Sequence, residues 1–253
     1  SFSLSAGIIP DIYSMCGITG IIQLPAAGYT SVHLEKMTLA LAHRGPDGEG
    51  HYTNPDQTVF LGHRRLSIID RTDAGKQPMD YRGRYTIIHN GEIYNYKELK
   101  AELEQKGYTF RSQTDTEVIA AAYDCWKEDC LYRFDGMFAF AIWDEQKREL
   151  FAARDRFGEK PFFFYHDQHR FLFASEMKAL WAAGIDRIPN QKMLFNFITI
   201  GYTGNPARPE ETFYENILQL PAASYLKFSL IYFQYTINSW WELDPEFEDK
   251  DIT

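Results

Sequence analysis

The sequence predicts an α+β fold in which mainly antiparallel β-sheets are covered by helices. The predicted strands and helices do not alternate one for one, as they would around a parallel sheet. Successive strands in the second half of the chain are joined by short polar turns, which suit antiparallel neighbours. Apolar residues make up 45% of the 253 residues. A chain of this length and composition has enough apolar material for a packed core.

The first elements can be placed from local patterns. Residues 17–23 (GITGIIQ) form a predicted buried strand. A helix is predicted over residues 31–43, where apolar side chains recur at near-helical spacing and Ser31 is the N-cap. The glycine-rich stretch 44–50 is predicted to be a loop with a tight turn rather than a phosphate cradle, since it does not lead from a strand into a helix. Strands rich in β-forming residues follow at 59–63 and 85–89.

Three further helices are predicted from their capping residues. Asn95 opens the first, Thr114 the second and Ser175 the third. The second cap places Asp115 in the first turn of its helix. The remaining strands are predicted at residues 137–143, 149–154, 161–165, 170–174, 224–228 and 230–235.

Charge and cysteine content exclude several classes of protein. The chain has 35 acidic and 26 basic residues, a net charge of −9, which argues against a broad nucleic-acid surface. The longest apolar run, residues 137–143, is too short to span a membrane. Cys16, Cys125 and Cys130 give an odd count in a chain too long for a disulfide scaffold. We therefore expect a cytoplasmic protein, and the scattered histidines indicate no metal site.

The first fourteen residues have an unusual composition. They contain one acidic residue, Asp11, and no lysine or arginine, so neither a secretory signal nor a transit peptide fits. Met15 and Cys16 follow directly. We expect Met15 to be the natural initiator and residues 1–14 to be a leader, a propeptide, a misplaced start or a cloning remnant. The alternative is that residues 1–14 form an edge segment of the fold.

A few residues could carry chemistry together. Cys16 offers a thiol, and an amide beside a glycine N–H, at Asn90 and Gly91, can hold an oxyanion. Arg65 could clamp a carboxylate, and Asp115 at a helix start could bind an ammonium group. Each has an ordinary alternative: a core thiol, a turn, a surface ion pair and a complement to the helix dipole. From the residues alone they are a candidate constellation, not an enzyme.

Seven motifs that follow one another along the chain favour the chemical interpretation of these residues over the ordinary ones. They are MCGITG at 15–20, AHRGPDG at 42–48, HRRLSIID at 63–70, NGEIYNY at 90–96, QTDTE at 113–117, RDRFGEKP at 154–161 and ASEMKAL at 174–180. The series resembles the glutaminase domain of glutamine-hydrolysing asparagine synthetase, a class II glutamine amidotransferase. The resemblance runs over residues 15–245. It implies the N-terminal-nucleophile (Ntn) hydrolase fold, a four-layer αββα sandwich of mainly antiparallel sheets.

The resemblance also implies a role for each site residue. Cys16 becomes the nucleophile once Met15 is removed, and its freed α-amino group, with a reference pKa of about 7.7–8.0, is the general base. Asn90 and Gly91 hold the oxyanion of the glutamine amide. No cofactor is implied for this reaction. The implied contacts with the rest of the substrate are Arg65 with the α-carboxylate, and Asp115 and Glu92 with the α-ammonium.

The sequence departs from the family pattern in three places. With residues 1–14 attached, Cys16 has no free amine, so the chain as written is expected to hydrolyse glutamine poorly. No pyrophosphate loop is present, and residues 246–253 are expected to begin a linker to an absent synthetase domain, which would bind ATP and Mg. Residues 220–226 resemble the family's closing strand but lack its usual glycine turn.

Two alternatives remain open at this point. A glutaminase half could supply ammonia to a different acceptor, such as a sugar, a peptide carboxylate or a β-lactam precursor. A catalytically silent domain could instead bind glutamine or dock on a partner. The expected partners are L-glutamine and a synthetase domain in cis or in trans, with no nucleic acid and no membrane. The oligomeric state is open, with a homodimer as one alternative.

Overall fold

The computed structural model describes residues 15–66 and 75–243. The expectations about residues 1–14 and about the linker at 246–253 lie outside these ranges. The strands are β1 (Gly17–Gln23), β2 (Gly48–Thr53), β3 (Val59–Arg65), β4 (Met79–Tyr81), β5 (Tyr85–Ile93), β6 (Gly136–Asp144), β7 (Glu149–Arg154), β8 (Phe163–His166), β9 (Arg170–Ala174), β10 (Leu218–Gln219), β11 (Ser224–Ser229) and β12 (Gln234–Ser239). The helices are α1 (Ser31–Ala40), α2 (Tyr96–Gln105), α3 (Asp115–Trp126), α4 (Met177–Ala182) and α5 (Gln191–Ile200).

The strands form two six-stranded sheets. The first has the order β10-β8-β9-β1-β3-β2, and the second has the order β12-β11-β7-β6-β5-β4. Every neighbouring pair is antiparallel. The predicted α+β class with mainly antiparallel sheets is therefore confirmed.

The sheets face each other across an apolar core, and helices cover their outer faces. Between the sheets, Phe162 stacks on Phe173 at 5.1 Å and Phe171 on Phe228 at 4.5 Å, measured between ring centroids. Helices α1 and α4 cover the first sheet, and α2 and α3 cover the second. This is the four-layer αββα sandwich that the resemblance implies.

Most strand predictions agree with the structure. β1, β7 and β9 have the predicted bounds, β6 extends its prediction by one residue at each end, and β11 extends its prediction by one residue at its C-terminal end. β8 begins and ends later than predicted, and β12 begins four residues later because residues 230–233 form the turn. The loop prediction for residues 44–50 is wrong from Gly48 onward, where β2 begins. β4 and β10 have only three and two residues, too few to show an alternating pattern.

Strand β5 differs from its prediction at its C-terminal end. This strand was predicted to end at His89, but it continues to Ile93, paired throughout with β6. Asn90 and Gly91 therefore lie inside a sheet rather than in a turn after it. Their backbones are paired with residues 138 and 139 of β6, which fixes them more firmly than a turn would.

Helix caps give mixed results. Thr114 is confirmed as the N-cap of α3, since its hydroxyl accepts the N–H of Glu117 at 3.3 Å. Asn95 occupies the N-cap position of α2, but its side chain bonds to the main chain of residues 133 and 135 instead. Ser31 is wrong as a cap: Thr30 is the N-cap and α1 ends at Ala40.

Ser175 is also wrong as a cap, for a physical reason. Glu176 is the N-cap of α4, and the Ser175 hydroxyl accepts the N–H of Ile18 at 3.0 Å. Its hydroxyl thus ties the end of β9 to β1.

At the closing strand, where the family's glycine is missing, Ala223 takes the left-handed conformation with φ of 51°. Among the described residues, no helix has the length and apolarity that a membrane crossing requires.

Candidate active site

All six residues predicted for the site line one cavity of about 100 Å³. They come from four separate parts of the chain: Cys16 before β1, Arg65 at the end of β3, Asn90, Gly91 and Glu92 on β5, and Asp115 at the start of α3. The other lining residues are Met15, Leu66, Gly75, Gln77, His89, Thr114, Thr116, Met137 and Lys160.

Strand register brings Cys16 and Arg65 together. Gly17 pairs with Arg64 across β1 and β3, so the next position outward sets Cys16 opposite Arg65. The chain after β3 continues past the thiol, where the N–H of Leu66 donates to Cys16 Sγ at 3.4 Å. The Sγ in turn lies 3.7 Å from the carbonyl oxygen of Leu66. The thiol is therefore held between two strand ends.

The surroundings of the thiol favour its neutral form. Burial raises the pKa of Cys16 above its ordinary value, and the Leu66 N–H opposes that rise. Asp115 raises the pKa further, while Arg65 and Arg44 lower it. A thiol with a raised pKa is a poor nucleophile until a base removes its proton. The chemistry of this site thus needs a base close to Cys16.

Arg44 fixes the backbone of the nucleophile. Its Nε donates to the carbonyl oxygen of Cys16 at 3.0 Å, and its Nη1 donates to Glu176 Oε1 at 2.9 Å. Burial would raise the pKa of Glu176, but hydrogen bonds from Arg44, Lys178 and His43 outweigh it and lower the pKa from 4.5 to about 2. Glu176 is therefore an anion that anchors Arg44, and through Arg44 the position of Cys16.

Asn90 presents a polar side chain without a partner. It is fully buried, and neither Nδ2 nor Oδ1 has a hydrogen-bond partner among the residues that the structure describes. Leaving such a group unsatisfied costs roughly 1–3 kcal/mol. An unpaired amide in the wall of a cavity that also contains a thiol is suited to bind a substrate oxygen.

The neighbouring residue has to be glycine. Gly91 has φ of +145°, and a Cβ at this position would lie 2.1 Å from the carbonyl oxygen of Met137 on β6. No other residue fits without moving β5 or β6. Gly91 thus lets β5 pass close to β6 directly after Asn90.

Asp115 connects α3 to the end of β5. Its Oδ2 accepts the N–H of Ile93 at 3.0 Å and lies 3.9 Å from Nδ1 of His89. The start of α3 is held by Glu117, whose carboxylate accepts the N–H groups of residues 111 and 112. Asp115 is buried at the cavity wall, and Glu92 is half-buried beside it on β5. Two carboxylates and the guanidinium of Arg65 therefore line the same cavity.

Several lining residues were not identified from the sequence. Gln77 accepts the N–H of His89 at 2.6 Å and donates to the hydroxyl of Thr116 at 3.0 Å. Burial lowers the pKa of His89, so this imidazole is neutral. Gln77 has no local pattern that could reveal its role, since its partners are distant in sequence. Lys160 lies in the motif RDRFGEKP at 154–161, but that motif alone implies no role for it.

Elsewhere, the described residues show free thiols and no metal cluster. Cys16, Cys125 and Cys130 form no disulfide. In the described ranges, no group of three or more His, Cys, Asp or Glu side chains is placed to hold a metal ion.

Comparison with known proteins agrees with this geometry. Residues 15–241 match the family described as glutamine amidotransferase domain. The chain belongs to this family. It is 46% identical to asparagine synthetase (glutamine-hydrolyzing) 3 of Bacillus subtilis over 66% of this chain and 28% of that protein. It is 36% identical to putative asparagine synthetase (glutamine-hydrolyzing) 2 of Methanocaldococcus jannaschii over 92% of this chain and 48% of that protein. The amidotransferase chain thus spans less than half of the length of these relatives.

A solved structure supports the fold of this amidotransferase domain. Glutamine phosphoribosylpyrophosphate amidotransferase from B. subtilis, complexed with ADP and GMP, superposes with a TM-score of 0.63 at 19% identity. The match covers 88% of this chain and 49% of that one. The domain therefore has the Ntn-hydrolase fold, as the resemblance predicted.

Proposed function

We propose that this domain hydrolyses the side-chain amide of L-glutamine to glutamate and ammonia through a thioester on Cys16. The reaction requires that the peptide bond between Met15 and Cys16 be broken, so that residue 16 has a free α-amine. The pKa of the buried Cys16 thiol is raised, so the thiol needs a base to remove its proton. The freed α-amine would supply that base from the same residue. His89 is a weaker candidate for that base because it lies on the Thr116 side, with its Nδ1 3.4 Å from the Thr116 hydroxyl.

The cavity suits a free amino acid. Arg65 would bind the α-carboxylate in bidentate fashion, and Asp115 with Glu92 would bind the α-ammonium. The separation of these groups from Cys16 would then set the length of side chain that reaches the thiol. A glutamine residue inside a protein lacks both charges, so the site would exclude it.

The reaction then follows from these positions. The Cys16 amine takes the thiol proton as Sγ attacks the amide carbon, and the amide oxygen becomes an oxyanion. The Asn90 Nδ2–H and the Gly91 N–H would donate to that oxygen. The ammonium then returns the proton to the amide nitrogen, the C–N bond breaks, and ammonia leaves. Water attacks the thioester in the same way and releases glutamate.

The observation that carries this proposal is the buried amide of Asn90 in the same cavity as the Cys16 thiol. Both of its polar atoms are unpaired among the described residues. A structural asparagine would have its amide satisfied by the protein. A substrate oxygen held beside Cys16 Sγ would satisfy it.

The proposal is tested by comparing two forms of the protein. One begins at Cys16, and the other keeps Met15 and the residues before it. Since a general base contributes roughly 10²–10⁴-fold, glutamine-dependent ammonia release should rise by about that factor in the first form. Equal rates in the two forms would contradict the role of the amine. Labelling of Cys16 by a diazo-ketone analogue of glutamine provides the matching check of the thiol, and absence of label on the trimmed form would favour the silent alternative.

We further propose that the ammonia serves asparagine synthesis from aspartate by a synthetase domain, in cis or in trans. The names and greater lengths of the relatives support this acceptor. ATP and Mg would bind to that domain. Free cysteines favour a reducing compartment, so we place the enzyme in the cytoplasm. The test is asparagine formation from aspartate, ATP and glutamine by the native enzyme together with its synthetase domain. Amidation of another acceptor under these conditions would contradict the assignment.

A further inference from the structure

Lys160 is a buried lysine in the cavity wall, and burial lowers the pKa of its ammonium group below the ordinary value. Only 4% of its surface is exposed, and its Nζ donates to the Sδ of Met15 at 2.6 Å. In the part of the chain that the structure describes, no carboxylate lies within salt-bridge distance of this Nζ. Buried lysines are ordinarily paired with an acid, so this one needs an explanation.

The loop that carries Lys160 is held firmly in place. Asp155, itself buried, accepts the N–H groups of Lys160 and Phe138 with Oδ2, at 3.0 and 3.2 Å. The guanidinium of Arg154 donates to the carbonyl oxygens of residues 158, 160 and 220, at 2.6–2.7 Å. Such a network fixes the backbone at Lys160 and limits the positions that its ammonium can reach.

Loss of Met15 changes what this ammonium faces. The methionine side chain that Nζ contacts is removed, and the nitrogen of Cys16 becomes an amine. A methionine Sδ is five bonds from the nitrogen of the next residue, which is roughly 6 Å at most. Lys160 Nζ therefore lies within roughly 9 Å of the new amine, in a partly buried site where charges are poorly screened.

We propose that Lys160 is a positioning residue that keeps the Cys16 α-amine unprotonated near neutral pH. The inference rests on the proposed function, because it concerns the base of that reaction. A second positive charge near Lys160 is unfavourable, so the amine loses its proton more readily than an ordinary α-amine. It is then ready to take the thiol proton when Sγ attacks, and it passes that proton to the departing amide nitrogen.

The other charges around the amine do not cancel this effect. Arg44 is paired with Glu176, and the carboxylate of Asp155 is occupied by backbone N–H groups. Glu159 is exposed to solvent, which weakens its attraction. In the free enzyme, Arg65 and Asp115 act on residue 16 in opposite directions, since Arg65 lowers the pKa of the Cys16 thiol and Asp115 raises it. The titratable and charged groups that face residue 16 or Lys160 are thus Arg44, Arg65, His89, Glu92, Asp115, Asp155 and Glu159.

The experiment measures kcat/KM for glutamine against pH in protein beginning at Cys16. The acidic limb of this profile reports the pKa of the free enzyme's base. In Lys160→Met the limb should move up by about one pH unit, whereas Lys160→Arg should leave it near the native position. Lys106→Met, which removes an exposed lysine after α2, is the control and should not move it. A lower plateau rate with an unmoved limb would show a structural role only and overturn the inference.

A second measurement needs neither turnover nor a variant. The rate at which acetic anhydride acylates the Cys16 α-amine, followed by mass spectrometry against pH, gives the pKa of that amine directly. We expect a value below the reference of about 7.7–8.0 in the native protein. A value at or above the reference would overturn the inference. Absence of ammonia release together with a lowered amine pKa would instead count against the proposed function alone.

Discussion

The cavity around Cys16 and the opposite edge of the sandwich each contain a histidine with a buried ring nitrogen that has no partner among the described residues, but their surroundings differ. Near the cavity, His89 Nε2 has no partner among the described residues, and the amide of Asn90 beside it is unpaired as well. At the far edge, His166 lies among the rings of residues 171, 228, 233 and 235, with centroid distances of 5.3–6.2 Å. Unpaired polar groups cluster at the first region and aromatic rings at the second.

This difference predicts that substitutions in the two regions have different effects on activity and stability. At the cavity, polar groups remain unpaired in the folded protein and would gain partners only from a substrate, so substitutions should change activity more than stability. At the far edge, the rings already have their partners, so substitutions should change stability more than activity. Each of the following measurements tests one side of this comparison.

The largest effect is expected at the aromatic edge. Phe171 is fully buried and stacks on Phe228, so Phe171→Ala should lower the free energy of unfolding by about 3–5 kcal/mol. Urea unfolding followed by circular dichroism measures this loss. The kcat of the molecules that remain folded should be unchanged, and Phe171→Leu gives a milder variant if the alanine protein is too unstable. A fall in kcat with unchanged stability would break the comparison.

At the cavity, Asn90→Ala should lower kcat by about 10²–10³-fold, because it removes one of the two oxyanion donors. Its effect on the free energy of unfolding should be small, since the amide has no protein partner to lose. Asn95→Ala is the matched control: it removes hydrogen bonds to residues 133 and 135 and should reduce stability with kcat unchanged. Steady-state kinetics and thermal unfolding on the three proteins decide the case.

Asp167 gives a pH-dependent test at the far edge. Burial would raise its pKa, but hydrogen bonds from Arg170, His169 and Tyr165 outweigh it and lower the pKa from 3.8 to about 2. The carboxylate therefore stabilises the fold above about pH 4, and this contribution is lost as the pH falls towards 2. Asp167→Asn should reduce stability at pH 6 by about 1–2 kcal/mol, with less difference at pH 2.5. A difference that does not shrink with falling pH would contradict this account.

Glu176 is the counterpart near the cavity, with the smallest expected effect. Glu176→Gln should show the same loss of stability above about pH 4, because its pKa is also lowered to about 2. Unlike Asp167→Asn, it should also reduce kcat/KM several-fold, since Glu176 anchors Arg44 against the Cys16 carbonyl. Unchanged kinetics at neutral pH would show that this anchor does not matter.

Strand bounds and helix caps that depend on neighbouring residues in the sequence could be predicted from it. Strands β1, β7 and β9 could be bounded because apolar runs and turn residues mark both of their ends. The cap at Thr114 could be recognised from a four-residue pattern, and it placed Asp115 correctly at the start of α3.

Features that depend on distant contacts could not be predicted in this way. The role of Ser175 is set by β1, and β5 continues past His89 only because β6 pairs with it. Helix α5 was not predicted from the sequence: Met193 is its one buried residue, and apolar residues such as Phe195 and Ile198 are exposed, so its apolar positions do not mark a buried face. The burial of Lys160 without an acidic partner among the described residues likewise follows from the assembled loop and not from its motif. The chemical roles of the six site residues remain predictions until they are tested.

The most direct test of the central claim is the covalent intermediate itself. Protein beginning at Cys16 is mixed with glutamine, quenched in acid within the first turnover, and analysed by peptide mass spectrometry. We predict a γ-glutamyl group in thioester linkage on the peptide that contains Cys16, and its absence in Cys16→Ala, which should also release no ammonia. Ammonia release that persists in the alanine protein, or an adduct found on another residue, would contradict the mechanism.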